Sequence, residues 1–253
     1  MGITLKPNSG ADFSSWEQGI VLSELSFKPS FVGTRASIGT KVDATWQGIQ
    51  AQVHALQIPF LAFHYFVNTE SDADQAKLLW NTVKGSWMKG DKLCLDYEDR
   101  TSPFSLHSAM DFFYNLEQIS GISHTEMVFY SQASILNTLN PSPSDWKYIK
   151  QVPFWTAGTP DNPDAFNDIP PAYIPNDMTR VSNVFMWQYY PSYVDKGYSA
   201  GIDVDYIDQN FLAKWAAEYT WSVIPAPPNP TPVGRKLDHV VLYYTDGSAE
   251  TRP

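Results

Sequence analysis

Between residues 10 and 222, eight short β-like runs alternate with amphipathic helical periods or with Pro- and Asp-rich connections. This alternation is the mark of βα units around a parallel sheet or barrel. The runs are GADFS (10–14), FVGTRA (31–36), FLAFHYFV (60–67), KLCLDYE (92–98), MVFYS (127–131), VPFWTA (152–157), VFMWQYY (184–190) and GIDVDYI (201–207). Eight is the strand number of a closed α/β barrel, and a chain of 253 residues is long enough for one such barrel or for two small domains. The fold class expected is α/β, a modified TIM-like barrel.

Helical periods fall between the early runs. Asp72 with Gln75 resembles a capping box, and Ala73, Ala76, Trp80 and Val83 follow at helical spacing. Leu106, Met110, Phe113, Leu116 and Ile119 make a second stripe, with Gly121 placed to stop it. Phe211, Leu212, Trp215 and Tyr219 mark a third helix. After VPFWTA the connections are rich in Pro, Asp and Asn without helical period, so the second half of the barrel is expected to be poor in helices. Four segments are expected: residues 1–9 as an N-terminal extension, 10–222 as the barrel, 223–234 as a stiff Pro-rich linker, and 235–253 as a β-segment or the start of a further module. Asp246-Gly247 in the last segment is a hairpin turn signal.

Charge and motifs exclude whole classes of function. With 27 acidic against 17 basic side chains and a net charge of -10, the chain offers no basic surface for a phosphate backbone, so no nucleic-acid partner is expected. No apolar run approaches the roughly 20 residues that cross a bilayer, so no membrane partner is expected either. The start, MGITLKPNSG, has neither the apolar core nor the cleavage site of a signal peptide. Cys94 is the single cysteine and reads as packing; the five His are scattered, so neither a disulfide nor a metal site is expected, and no cofactor is expected. A P-loop and a Gly-x-Ser-x-Gly elbow are both absent from the sequence. Aromatic residues make up 15% of the chain, enough to fill a core and also to line a groove for sugar rings.

The run KLCLDYEDR, residues 92–100, poses the functional question: an apolar strand that ends in carboxylates. Residues i and i+2 of a strand share a face about 6.5 Å apart, so Asp96 and Glu98 point the same way, toward the barrel mouth where such enzymes keep their active sites. Asp12, Asp203 and Asp205 stand at other strand ends. Two carboxylates in an aromatic groove suit glycoside hydrolysis, one protonated to serve the leaving oxygen and one anionic. Mutual repulsion and burial push their pKa values apart, and the proton is assigned to Glu98. The alternative for these acids is a solvated strand end. The spacing is compatible with either retaining or inverting geometry.

The ordered set DFSSWEQ (12–18), FVGTRASIGTKVD (31–43), PFLAFHYF (59–66), LDYE (95–98), PFWTAG (153–158), MWQYY (186–190) and IDVDYID (202–208) resembles glycoside hydrolase family 25, the Chalaropsis-type lysozymes. The resemblance spans about residues 10–222 and implies a (β/α)5(β)3 barrel with eight strands and about five helices. It implies muramidase activity, cleavage of the β-1,4 bond between N-acetylmuramic acid and N-acetylglucosamine in peptidoglycan, with retention assisted by the substrate acetamido group. It further implies Glu98 as acid, Asp96 as the partner that orients that acetamido group or stabilises its cyclised intermediate, Asp12 from the first strand, and an acid near the last strand. Here the chain departs from the family pattern, offering Asp203, Asp205 and Asp208, of which Asp205 is chosen.

His64, Tyr65, Tyr130, Trp155, Trp187 and Gln188 sit at or near strand ends and are the candidates for sugar binding, with core packing as the alternative for each. Trp46, Trp80 and Trp215 lie on helical faces and read as packing. The expected partner is the glycan strand of bacterial peptidoglycan, met at the cell wall; the sequence leaves the oligomeric state open, with a monomer as the default. The missing signal peptide suits a phage endolysin or tail lysozyme, or a secreted enzyme whose signal was removed. Two rivals remain: a chitinase, which would also cleave chitin oligomers lacking muramic acid, and an inactive wall-binding or virion barrel, which would bind walls and release no reducing ends.

Overall fold

The computed structural model describes residues 5–101, 105–139, 142–160, 168–176, 178, 184–195, 198, 201–221, 240–243 and 249–252. The chain divides into two compact units, Met1–Trp221 and Ser222–Pro253. In the first unit the strands are β1 (Ser9–Phe13), β2 (Val32–Ile38), β3 (Lys41–Val42), β4 (Phe60–Tyr65), β5 (Lys92–Asp96), β6 (Val128–Gln132), β7 (Phe154–Ala157), β8 (Val184–Tyr193) and β9 (Ile202–Ile207). β1 pairs with both β2 and β9, which closes an eight-stranded barrel, while β3 is a short antiparallel addition to β2. Each expected run became a strand, with ends displaced by no more than three residues.

All barrel neighbours run parallel except β9, which is antiparallel to β8 and to β1. Asp12, near the end of β1, lies opposite Asp203, at the start of β9. The beginning of β9, rather than its end, therefore stands at the mouth.

Among the described residues, six helices accompany the strands: α1 (Trp46–Ala55), α2 (Asp72–Val83), α3 (Leu106–Ser120), α4 (Ala133–Leu136), α5 (Pro143–Ile149) and α6 (Gln209–Glu218). This is in keeping with the about five that the resemblance implied. α1 carries an apolar stripe of Trp46, Ile49 and Val53, whereas α4 and α5 are too short to show a period. Between β7 and β8 the described residues form only a 3-10 turn, Pro171–Tyr173, in keeping with a helix-poor second half. Gly121 ends α3 with φ of 72°, a left-handed position that costs glycine nothing. α2 is capped differently from the expectation. Ser71 is its N-cap, accepting from the Asp74 N–H, and Gln75 turns inward instead of reaching back.

Strand alternation sorts the core into two layers. Outward side chains such as Phe60, Leu93, Leu95, Phe129 and Phe154 pack against Val53, Leu79, Phe112 and Leu116 of the helices. Inward ones, including Phe31, Leu61, Cys94, Val128, Trp155 and Met186, fill the barrel. α6 contributes Trp215 to this inner cluster and its C-cap residue Tyr219 joins it, and Trp215 donates to the Gly90 carbonyl at 2.7 Å. A filled interior leaves depth for chemistry at the mouth only.

In the second unit, β10 (Val240–Tyr243) and β11 (Ala249–Arg252) pair antiparallel, with Val240 opposite Arg252. The expected linker, 223–234, and the Asp246-Gly247 turn lie outside the described residues. Among the described residues, no helix is long and apolar enough to cross a membrane.

Candidate active site

β5 answers the question that its sequence posed. Its inner face carries Cys94 and then Asp96, and the chain stays extended past the strand because the Tyr97 N–H donates to the Tyr130 carbonyl at 2.9 Å. Glu98 therefore arrives on the same side as Asp96, and both line one cleft of about 510 Å³ at the barrel mouth. Tyr97, between them, turns outward, packs on Phe66, and donates its hydroxyl to the Ser105 carbonyl at 2.6 Å. The even-numbered positions turn to the mouth and the odd one turns to the helices.

The cleft gathers Asp12, Tyr65, Tyr130, Trp155 and Gln188 with the acid pair. Gln188 ties several of them together. Its amide donates to Asp12 at 3.0 Å and to Asp203 at 3.1 Å, and its oxygen accepts from the Tyr130 hydroxyl at 2.7 Å. Gly33 makes room for this packing, since a side chain there would meet Asp12 Cβ at 3.1 Å and the Trp155 ring at 3.6 Å.

Three residues expected at the site stand elsewhere. His64 lies on the outer face of β4, fully buried, bonded to Ser37 at 2.8 Å and Gln75 at 3.0 Å and stacked on Phe112. Burial there holds its pKa down at about 4, so it packs as a neutral ring. Trp187 also faces outward, donating to the Gly158 carbonyl at 2.7 Å and stacking on Tyr173. In both cases the inward places belong to the residues one position away, Tyr65 and Gln188. Asp205 is fully buried and accepts from the Trp155 indole at 3.1 Å, whereas the cleft itself is lined by Asp203. Asp208 caps α6, at the far end of β9.

Gln132, Arg35 and Trp16 line the cleft without having been singled out from the sequence. Gln132 follows the inward Tyr130 by two positions, so the alternation rule would have found it. Its amide donates to Glu98 Oε1 at 2.9 Å. Arg35 is engaged by Asp43 at 3.0 Å and donates to Ser15 at 2.8 Å.

This concentration of carboxyl groups cannot be fully ionised. Burial raises Asp96 well above the usual carboxylate range, helped by Glu98 and Asp12 and opposed by Arg35. Asp12 is raised well above it by burial and by Asp203, with the Gln188 bond working the other way. Glu98 is raised by burial and held back by the Gln132 bond and by Arg100. Asp203 is raised by burial. Asp205 is raised well above the normal range by burial, by the charges of Asp12 and Asp203, and by a carboxyl–carboxyl hydrogen bond with Asp12 that a proton on Asp205 allows.

Asp205 carries a stability consequence. Its folded pKa lies above the unfolded value of about 3.9, so across that interval the folded chain keeps a proton that the unfolded chain gives up. Stability from this group is therefore lost as pH rises. Asp205→Asn, which mimics the protonated form and can still accept from Trp155, is expected to raise Tm at pH 7.5 by about 2–4 °C, what roughly 1 kcal/mol yields in a chain of this size. Calorimetry at pH 4 and pH 7.5 checks it, and the gain should shrink at the lower pH.

Among the described residues, no group of three or more His, Cys, Asp or Glu side chains is placed to hold a metal ion. What the arrangement offers is paired carboxyls with separated proton affinities beside aromatic rings.

Comparison with known proteins bears on the fold and the family. The chain resembles in fold a bacterial lysozyme from Streptomyces coelicolor, at TM-score 0.66 and 21% identity over 85% of this chain and 98% of that one. It also resembles a family 25 glycosyl hydrolase from Bacillus anthracis, at TM-score 0.61 and 16% identity over 82% and 93% of the two chains. A third likeness is to the catalytic domain of endolysin ply40 from bacteriophage P40 of Listeria monocytogenes, at TM-score 0.58 and 19% identity over 85% and 99%. No curated protein matches it by sequence. The sequence model of glycosyl hydrolases family 25 matches residues 11–198, a span that holds Asp12, Asp96, Glu98 and Gln188 and stops short of β9. With about three quarters of its length under that match, the chain belongs to glycosyl hydrolase family 25.

Proposed function

We propose that residues 10–222 form a muramidase that hydrolyses the β-1,4 bond between N-acetylmuramic acid and N-acetylglucosamine in peptidoglycan, acting at the bacterial cell wall. The observation that carries this reading is the side-by-side presentation of Asp96 and Glu98 into one cleft, in two different hydrogen-bonding environments. Glu98 is the general acid: burial raises its pKa, so it holds its proton to higher pH than an exposed carboxyl does, and the Gln132 amide on Oε1 leaves Oε2 to carry the proton. Asp96 presents a buried Oδ1 that no protein donor reaches.

A substrate acetamido N–H would donate to the part of the Asp96 carboxylate that lines the cleft. Hydrogen bonding to the charged form favours ionisation, so substrate draws Asp96 into the anionic state that positive charge at the sugar requires. The acetamido oxygen then attacks the anomeric carbon while Glu98 protonates the leaving oxygen. Glu98, now anionic, takes a proton from the water that opens the cyclic intermediate. Tyr130, fixed by Gln188, keeps its phenol proton because burial and the surrounding acids raise its pKa far above normal.

Digestion of purified peptidoglycan, borohydride reduction and mass spectrometry test the reading. Reduced muramic acid ends are expected. Reduced glucosamine ends, or cleavage of chitin oligomers at a comparable rate, would point to another glycosidase, and wall binding without new ends would point to an inactive barrel.

Gln132 gives a pH prediction with a definite sign. Its bond lowers the Glu98 pKa, so Gln132→Leu should raise that pKa. A general acid works while protonated, and activity falls as pH rises through its pKa. The alkaline limb of kcat/KM should thus move to higher pH, by about one unit for a bond worth roughly 1.4 kcal/mol to the charged form. An unmoved limb would remove Gln132 from the control of Glu98.

A further inference from the structure

Trp16 is 80% exposed, while the other eight Trp are buried or half-buried. A Trp side chain left in water is unusual, since this residue type is highly buried on average. Trp16 does not hang from a loose loop. The Ser14 N–H donates to Glu17 Oε2 at 2.7 Å and the Glu17 N–H returns to the Ser14 carbonyl at 3.2 Å. The Ser15 N–H donates to the buried Asp43 at 3.1 Å, and Arg35 donates to the Ser15 hydroxyl at 2.8 Å. The turn is fixed on both sides of Trp16, and its indole forms part of the wall of the same cleft as Asp96 and Glu98.

Topology says which part of a substrate this wall can meet. Around the closed ring of eight strands, β1 stands four places from β6 in either direction. Trp16 follows β1, whereas Glu98 and its partner Gln132 stand at the ends of β5 and β6. β5 itself stands three places from β1, so the indole sits on a stretch of the rim well separated along the ring from the strand that carries the acid. We propose that Trp16 is the platform of a further sugar subsite, stacking on the apolar face of a pyranose of the same glycan strand, removed from the bond that is cut. This rests on the muramidase reading. A flat apolar ring with a polar N–H edge suits a pyranose, which offers C–H groups on its face and hydroxyls at its rim. A platform held in place beforehand also loses little freedom when the sugar arrives.

The test uses the full chain and alternating N-acetylglucosamine–N-acetylmuramic acid oligomers of increasing length, with wild type, Trp16→Ala and Trp16→Phe. Trp16→Ala should raise KM about tenfold, the equivalent of about 1.4 kcal/mol, on oligomers long enough to reach the rim. The increase should shrink on the shortest cleavable one, and Trp16→Phe should restore most of the difference. Equal KM for wild type and Trp16→Ala at every length overturns the subsite, as does a rise that ignores length. Should wild type cleave no oligomer, the muramidase reading fails by itself. Sedimentation of Glu98→Gln and Glu98→Gln/Trp16→Ala with insoluble peptidoglycan then still decides: weaker binding of the double variant supports the platform, and equal binding removes it.

Discussion

Glu98→Gln is expected to lower kcat on peptidoglycan by about 100- to 10,000-fold, the usual cost of removing a general acid. The amide has the shape of the carboxyl and can still meet Gln132, so folding should survive. Tm near neutral pH should not fall, because the substitution removes a group whose ionisation burial opposes. The measurement is single-turnover release of reducing ends, beside thermal unfolding of the same preparation. Activity within a few-fold of wild type would sink the assignment of Glu98, and one of Asp12, Asp203 or Asp96 would have to be the proton donor instead.

Asp96→Asn carries the second largest effect, about 100- to 1,000-fold in kcat, the range measured when one preorganised electrostatic partner is taken from a reacting centre. Asparagine can still accept from an acetamido N–H, but it cannot become the anion that a cationic intermediate needs. The loss should therefore fall on kcat far more than on KM. Combining it with Glu98→Gln should cost much less than the product of the two, because both act on one step. If KM rose instead while kcat held, Asp96 would serve substrate positioning alone.

Both residues were legible because strand alternation is a local rule. Once KLCLDYE is taken as a strand, Cys94, Asp96 and Glu98 must share a face, and the apolar Leu95 and Tyr97 must share the other. The same rule, applied one position more strictly, separates Tyr65 from His64 and Gln188 from Trp187. Their places at or near strand ends drew His64 and Trp187 into the expected site, although their parity sends them toward the helices. The capping of α2 shows a similar limit, since Gln75 fits a local motif yet spends its side chain on His64 and on the backbone of Val67.

By itself, the sequence determined the eight strands, their barrel class, the long helices and the acid pair on β5, all of which follow from periodicities of two and 3.6 residues within short windows. Only the tertiary structure decided which acid of β9 reaches the cleft. β9 runs against its neighbours, so its first residues stand at the mouth, Asp203 lines the cleft and Asp205 lies buried under Trp155. Strand direction is set by how the chain closes the ring through pairing of β9 with β1, residues nearly two hundred positions apart, and no local pattern encodes it.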